Sequence, residues 1–120
     1  MLLLLAAFLI FATGLAHSYL GERYLLTRLF RRDNLPKLLG STAFTTGTLR
    51  FAWHLTTLAW WAFAALLVLA AQGPLSQAAV LQVLAWTALA SAQLPLLFTR
   101  GRHLSWLVFL AVAALVFASA

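Results

Sequence analysis

Three histidines, His17, His54 and His103, and one carboxylate, Glu22, are the side chains of this chain best suited to chemistry. Imidazole nitrogens and carboxylate oxygens ligate zinc, iron or copper. Two imidazoles on facing helices ligate haem. At ~1.5 Å per helical residue, His17 lies roughly 9 Å before Arg23, and His54 lies roughly 6 Å after Arg50. His103 directly follows Arg102. All four groups therefore belong to one level of the molecule, the level of its basic residues. His17, His54, His103 and Glu22 form the candidate metal site, with a metal ion or haem as the candidate cofactor. No two histidines share a helix, so neither HxxxH nor HExxH occurs, and convergence depends on helix packing. The alternative is a set of boundary histidines that hydrogen-bond backbone or water. Arg50, four residues before His54 on the same helix face, disfavours an imidazolium there and equally a metal dication.

The run His17-Ser18-Tyr19-Leu20-Gly21-Glu22-Arg23 is dense in such groups. Ser18 and Glu22 share a helix face, and Thr13 and His17 share the adjoining one. Gly14, Ser18 and Gly21 make a small-residue stripe that admits a second helix closely. This run reads either as a site braced by tight packing or as a packing seam that ends at the lipid headgroups.

Tryptophan depth supplies a third constellation. Trp53, Trp106, Tyr19 and Tyr24 fit an aromatic belt at a membrane boundary. Trp60, Trp61 and Trp86 fall near the middle of apolar stretches, where an indole N–H needs a partner. Gln82, Trp86 and Gln93 follow offsets 0, 4 and 11 along one helix face. With Trp60, they form a candidate seam for a flat apolar cofactor such as a quinone or a porphyrin edge. The competing reading is polar glue between helices, at about 0.6 kcal/mol per hydrogen bond.

The elements that must position these groups are apolar. The chain has 120 residues, 64% of them hydrophobic and 8% charged, with a mean hydropathy of +0.97. A soluble domain of this size has too much surface to hide that composition. Four apolar stretches, 1–20, 51–71, 75–98 and 104–120, contain no Asp, Glu, Lys or Arg. A helix needs about 20 such residues to cross a ~30 Å hydrocarbon core. The expectation is an all-α, single-domain, polytopic membrane protein of four transmembrane helices in an up-down bundle.

All eight Lys and Arg lie in the segment 21–50 or the turn 99–103. By the positive-inside rule, both of those connections are cytoplasmic and both termini are outside, in a bacterial-type inner membrane. Basic residues follow the first apolar run rather than precede it, so it reads as a retained helix and not a cleaved signal peptide. Within the loop 21–47, Leu25, Leu26, Leu29 and Phe30 recur at helical spacing, offset from the arginines. This stretch reads as a basic amphipathic segment at the interface, or as an extension of the first span. Arg23, Arg28, Arg31, Arg32 and Lys37 are its candidate contacts with lipid phosphates, which makes anionic headgroups rather than nucleic acid the partner of the +6 charge. Asp33-Asn34-Leu35-Pro36 breaks the segment. Thr45, Thr46 and Thr48 are expected to cap the second span, and Ser76 the third.

The absence of cysteine excludes disulfides, thiolate metal sites and covalent haem attachment. No P-loop, GxSxG or dinucleotide fingerprint is present. The leading functional expectation is a histidine-lined metal or haem site for electron transfer or metal handling. Its rivals are an accessory subunit or scaffold in a homo-oligomer or larger membrane complex, and a transporter for a small solute with arginines at its inner mouth.

Overall fold

The computed structural model describes residues 1–119. They form four helices and no strand, apart from one isolated bridge between Leu38 and Ser41. Helix α1 covers Leu2–Leu29, with a π-helical stretch at Gly21–Leu26. Helix α2 covers Ala43–Gln72, α3 covers Gln77–Phe98 and α4 covers Ser105–Ser119. The first three are long and apolar enough to cross a membrane, and α4 is shorter. Little of their apolar surface is spent on each other: only 11% of the most hydrophobic window of α1 and of α2 is buried inside the protein. The large side chains instead point outward on every helix, as at Phe8, Phe63, Leu97 and Leu115. Such a surface is suited to contact with lipid.

Each helix packs antiparallel on its neighbours in the sequence, and α1 does not touch α3 or α4. The expected up-down order is present, but the bundle is open. It forms a row with overall extents of 52 × 33 × 14 Å. Small residues let the helices approach. Ala85, Ala88, Ser91, Ala92 and Ala113 are buried along α3 and α4, and Gly14 and Gly21 are buried on α1.

Helix boundaries depart from the sequence expectation at the basic end. The amphipathic segment is the continuation of α1, which ends at Leu29. Helix α2 begins at Ala43, eight residues before the apolar run at Phe51. Thr45, Thr46 and Thr48 therefore lie inside α2 and do not cap it. Thr45 donates to the Pro36 carbonyl at 2.8 Å, and Thr46 donates to that of Ala43 at 3.1 Å. The hydroxyl that accepts an α2 amide is Ser41, from Ala43 N–H at 3.2 Å. Ser76 caps α3 as expected, accepting from Ala79 N–H at 3.1 Å. Pro95 sits inside the last turn of α3, fully buried. At the opposite end of the row, Gly73 turns the chain with φ +155°.

Candidate functional site

The polar centre lies between α1 and α2, near the basic end of the row. Gly14 and Gly21 make it possible. Each lies flat beneath an indole from α2, Trp61 over Gly14 and Trp53 over Gly21, in space that a Cβ would occupy. Both indoles donate to α1 backbone: Trp61 Nε1 to the Phe11 carbonyl at 3.2 Å, and Trp53 Nε1 to the His17 carbonyl at 3.0 Å. The partner that a mid-span indole requires is thus the backbone of the neighbouring helix.

His17 returns the contact. Its Nε2 donates to the Trp53 carbonyl at 3.1 Å, and its ring stacks on the Trp53 indole, with centroids 4.3 Å apart and planes at 5°. Trp60 meets the same imidazole edge-on at 5.1 Å. His17 is therefore a packing element whose Nε2 is committed to backbone.

His54 stands at the middle of a continuous ladder. On one side its Nδ1 shares a hydrogen bond with Ser18 Oγ at 2.8 Å. Ser18 Oγ shares one with Thr57 Oγ1 at 2.6 Å, and Thr57 donates to the Gly14 carbonyl at 3.1 Å. On the other side its Nε2 meets Glu22 Oε2 at 2.9 Å. Arg50 closes the ladder, with one guanidinium nitrogen 2.7 Å from Glu22 Oε1 and its Nε 3.2 Å from Oε2. The guanidinium also lies over the Phe30 ring at 5.0 Å. Thr57 is buried, the His54 side chain is 18% exposed and that of Glu22 36%. The ladder thus runs from the protein interior to an accessible rim.

Counting hydrogens along the ladder gives a chemical constraint. Each hydroxyl owns one hydrogen. If Thr57 donates to Gly14, Ser18 must donate to Thr57, and His54 Nδ1–H must donate to Ser18. The contact at Nε2 then needs a hydrogen of its own, carried either by an imidazolium or by a protonated Glu22. All four contacts coexist only when the Glu22–His54 pair holds one proton beyond a neutral imidazole and a carboxylate. Without it, the hydroxyls can turn so that Thr57 donates to Ser18 and Ser18 donates to His54, and the Gly14 carbonyl loses that donor. The sequence suggested that Arg50 would repel an imidazolium at His54. The structure places Glu22 between the two, where its charge offsets both.

The four candidate metal ligands are not brought together. Among the described residues, no three His, Cys, Asp or Glu side chains converge as a metal ion would need. Glu22 and His54 meet, His17 faces Trp53, and His103 lies across the row. His103 does not face solvent. It is half-buried between Phe44 and Phe51, and its Nδ1 is bonded to Ser105 Oγ at 2.8 Å. The candidate cofactor seam also divides. Gln82 and Trp86 line a shallow apolar groove with Trp61, of about 450 Å³. Trp60 has turned toward His17, and Gln93 donates to the Leu89 carbonyl of its own helix. Trp86 is 60% exposed, with Phe117 edge-on at 5.3 Å.

No protein-family model, curated protein or solved structure matches this chain. The site must therefore be read from its own geometry. The five candidate lipid-contacting residues, Arg23, Arg28, Arg31, Arg32 and Lys37, are all exposed at the basic end. Arg23 lies 5.6 Å from the Tyr24 ring centroid, and Arg32 Nε donates to Asn34 Oδ1 at 3.1 Å. The sequence reading passed over Thr57 as a member of the site. Its signal was its place three residues after His54 on the same face, opposite the glycine stripe.

Proposed function

We propose that this chain is a multi-pass inner-membrane module whose working centre is the proton-binding pair Glu22–His54, with the basic end cytoplasmic and both termini outside. The observation that carries the reading is the hydrogen count of the Gly14–Thr57–Ser18–His54–Glu22 ladder, which is complete only with one added proton on the pair. Ionisable groups held between membrane helices, with a partner and an exposed rim, are suited to taking up and passing a proton. The ladder links that proton to the contact between α1 and α2. Gain of the proton completes the bonds across the interface, and its loss reverses the two hydroxyls. The unpartnered faces of the open row fit a module that passes this change to a second copy or to a larger membrane complex. A metal or haem centre has less support, because both nitrogens of His54 and the Nε2 of His17 are already engaged.

Nitrogen-15 NMR of histidine-labelled protein in bicelles, paired with infrared spectroscopy of the carboxyl region, tests this. The expected result is either an imidazolium signal assigned to His54 by its loss in His54→Gln, or a protonated carboxyl band lost in Glu22→Gln. That signal should be lost as the pH is raised. A neutral His54 beside an ionised Glu22 at every pH at which the protein stays folded would refute the proposal.

A further inference from the structure

A second site adjoins the ladder at Arg50, in a cavity of about 400 Å³ between the first two turns of α2 and the turn joining α3 to α4. Arg50, Arg100 and Arg102 line it together with the hydroxyl-bearing Ser41, Thr46 and Thr99. The other cavities are of a different kind. Two are apolar grooves on the faces of the row, and a third lies at the Gly73-Pro74 turn with no charged lining. No carboxylate lines the arginine cavity, and among the described residues neither Arg100 nor Arg102 has an acidic partner.

The turn that carries these arginines is held firmly. Arg100 adopts φ +52° and Gly101 φ +77°. A left-handed arginine is strained and persists only where its surroundings impose it. Here Gly101 N–H donates to the Leu96 carbonyl at 2.9 Å, and Arg102 N–H donates to that of Thr99 at 3.1 Å. Trp106 Nε1 donates to the Gly101 carbonyl at 3.0 Å, and the buried Thr99 hydroxyl accepts from His103 N–H at 3.0 Å. His103 then docks the turn on α2 through Phe44 and Phe51. Gly47 completes the junction, since a Cβ there would overlap the Phe98 carbonyl. Arg100 and Arg102 thereby line the cavity from a fixed backbone, with Arg50 lining it from α2.

We infer that this cavity binds a phosphate group, held by Arg100 and Arg102, with the Ser41 hydroxyl as a further donor and the Glu22-paired Arg50 at its wall. Planar guanidinium forks match phosphate oxygens in pairs, and neighbouring hydroxyls supply further donors. The volume is in the range of ligand sites, large enough for a phosphate with its substituent attached. An anionic lipid headgroup and a soluble phosphate share this chemistry. The inference does not rest on the proton-binding reading, and its variants leave Glu22 and His54 intact.

The test uses the full chain purified in detergent and in nanodiscs. One arm titrates inorganic phosphate by isothermal calorimetry. The other measures retention of phosphatidylglycerol over phosphatidylcholine by native mass spectrometry. Arg100→Gln/Arg102→Gln, and Arg102→Gln alone in case the strained turn responds, are compared with Arg28→Gln/Arg31→Gln. Loss of charge-assisted bonds should weaken binding of the preferred probe by ~10-fold or more, while the Arg28/Arg31 control changes little. Phosphate binding with this dependence identifies a soluble ligand. Phosphatidylglycerol retention with this dependence, and no response to phosphate, identifies a headgroup. Absence of both responses, or an equal loss in the control, overturns the inference.

Discussion

The glycine at the narrowest point between α1 and α2 gives a prediction whose sign depends on its neighbour. In Gly21→Ala, the new methyl would overlap the Trp53 indole. If the indole swings away, it gives up its bond to the His17 carbonyl, roughly 0.6 kcal/mol, and its stack on the His17 ring, about 0.5–1.5 kcal/mol. If the helices part instead, the contacts of Ser18, Glu22 and Gly14 with α2 all lengthen, at roughly 0.6 kcal/mol each. Either route falls in the ~1–3 kcal/mol range of overpacking. Alanine offsets part of this, being better in a helix than glycine by about 0.8–1.0 kcal/mol. The net expectation is a loss of roughly 1–2 kcal/mol. With Trp53→Leu already in place the overlap is gone and the helix preference remains, so the same Gly21→Ala change should be neutral or stabilising. Reversible unfolding in mixed detergent micelles, followed by circular dichroism over the four-member cycle, measures both. The reasoning fails if Gly21→Ala shifts stability in the same direction, by the same amount, in both backgrounds.

Thr57→Val keeps the shape of the side chain and removes both of its bonds to α1, so it should cost about 1 kcal/mol in the same assay. It also frees Ser18 to donate to His54, so the extra proton on the Glu22–His54 pair should be held less firmly, and the NMR or infrared signal should be lost at lower pH than in the wild type. Trp86→Ala should change stability by less than about 0.5 kcal/mol, because the indole is largely exposed and makes no hydrogen bond to another helix; a loss above 2 kcal/mol would show that it belongs to the core.

The all-helical class and the order of the helices were legible in the sequence because each long apolar run favours a helix and the polar, basic stretches between them hold the connections. The dense run 17–23 lies at the contact between α1 and α2, and the Ser18–Glu22 spacing put both on the face that meets His54. What could not be read was partner choice. His17 and His54 look alike in sequence, yet one packs on an indole and the other bonds a carboxylate. The difference is set by which side of α2 meets α1, a tertiary fact with no local signature. The early start of α2 was hidden for a similar reason. Its first turns carry threonines, which lower helix preference and suggest caps, while packing of Gly47 on the end of α3 holds them helical. The scattered indoles gave a false seam because Trp60 and Trp86 lie on different sides of their helices.

The π-helical stretch at Gly21–Leu26 governs how far the α1–α2 contact can run. The strip that faces α2 runs through Gly14, Ser18 and Glu22 of α1 and ends at Phe30, just past the helix, beneath Arg50, with the buried Leu26 between. These residues advance in steps of four. In a regular α-helix each such step overshoots a full turn by about 40°, so a straight line of contact would drift off the partner within a few steps. A wider turn holds more residues and brings the line back. The stretch therefore acts as a phase correction, keeping Leu26 and Phe30 in line with Ser18 and Glu22. Straightening the stretch into ordinary turns with no residue removed would leave the Ser18 end of the ladder in place and turn the Phe30 end by about 100°. Register between the two halves of the α1–α2 contact is thus set by the local pitch of the backbone, in the stretch that also carries Glu22.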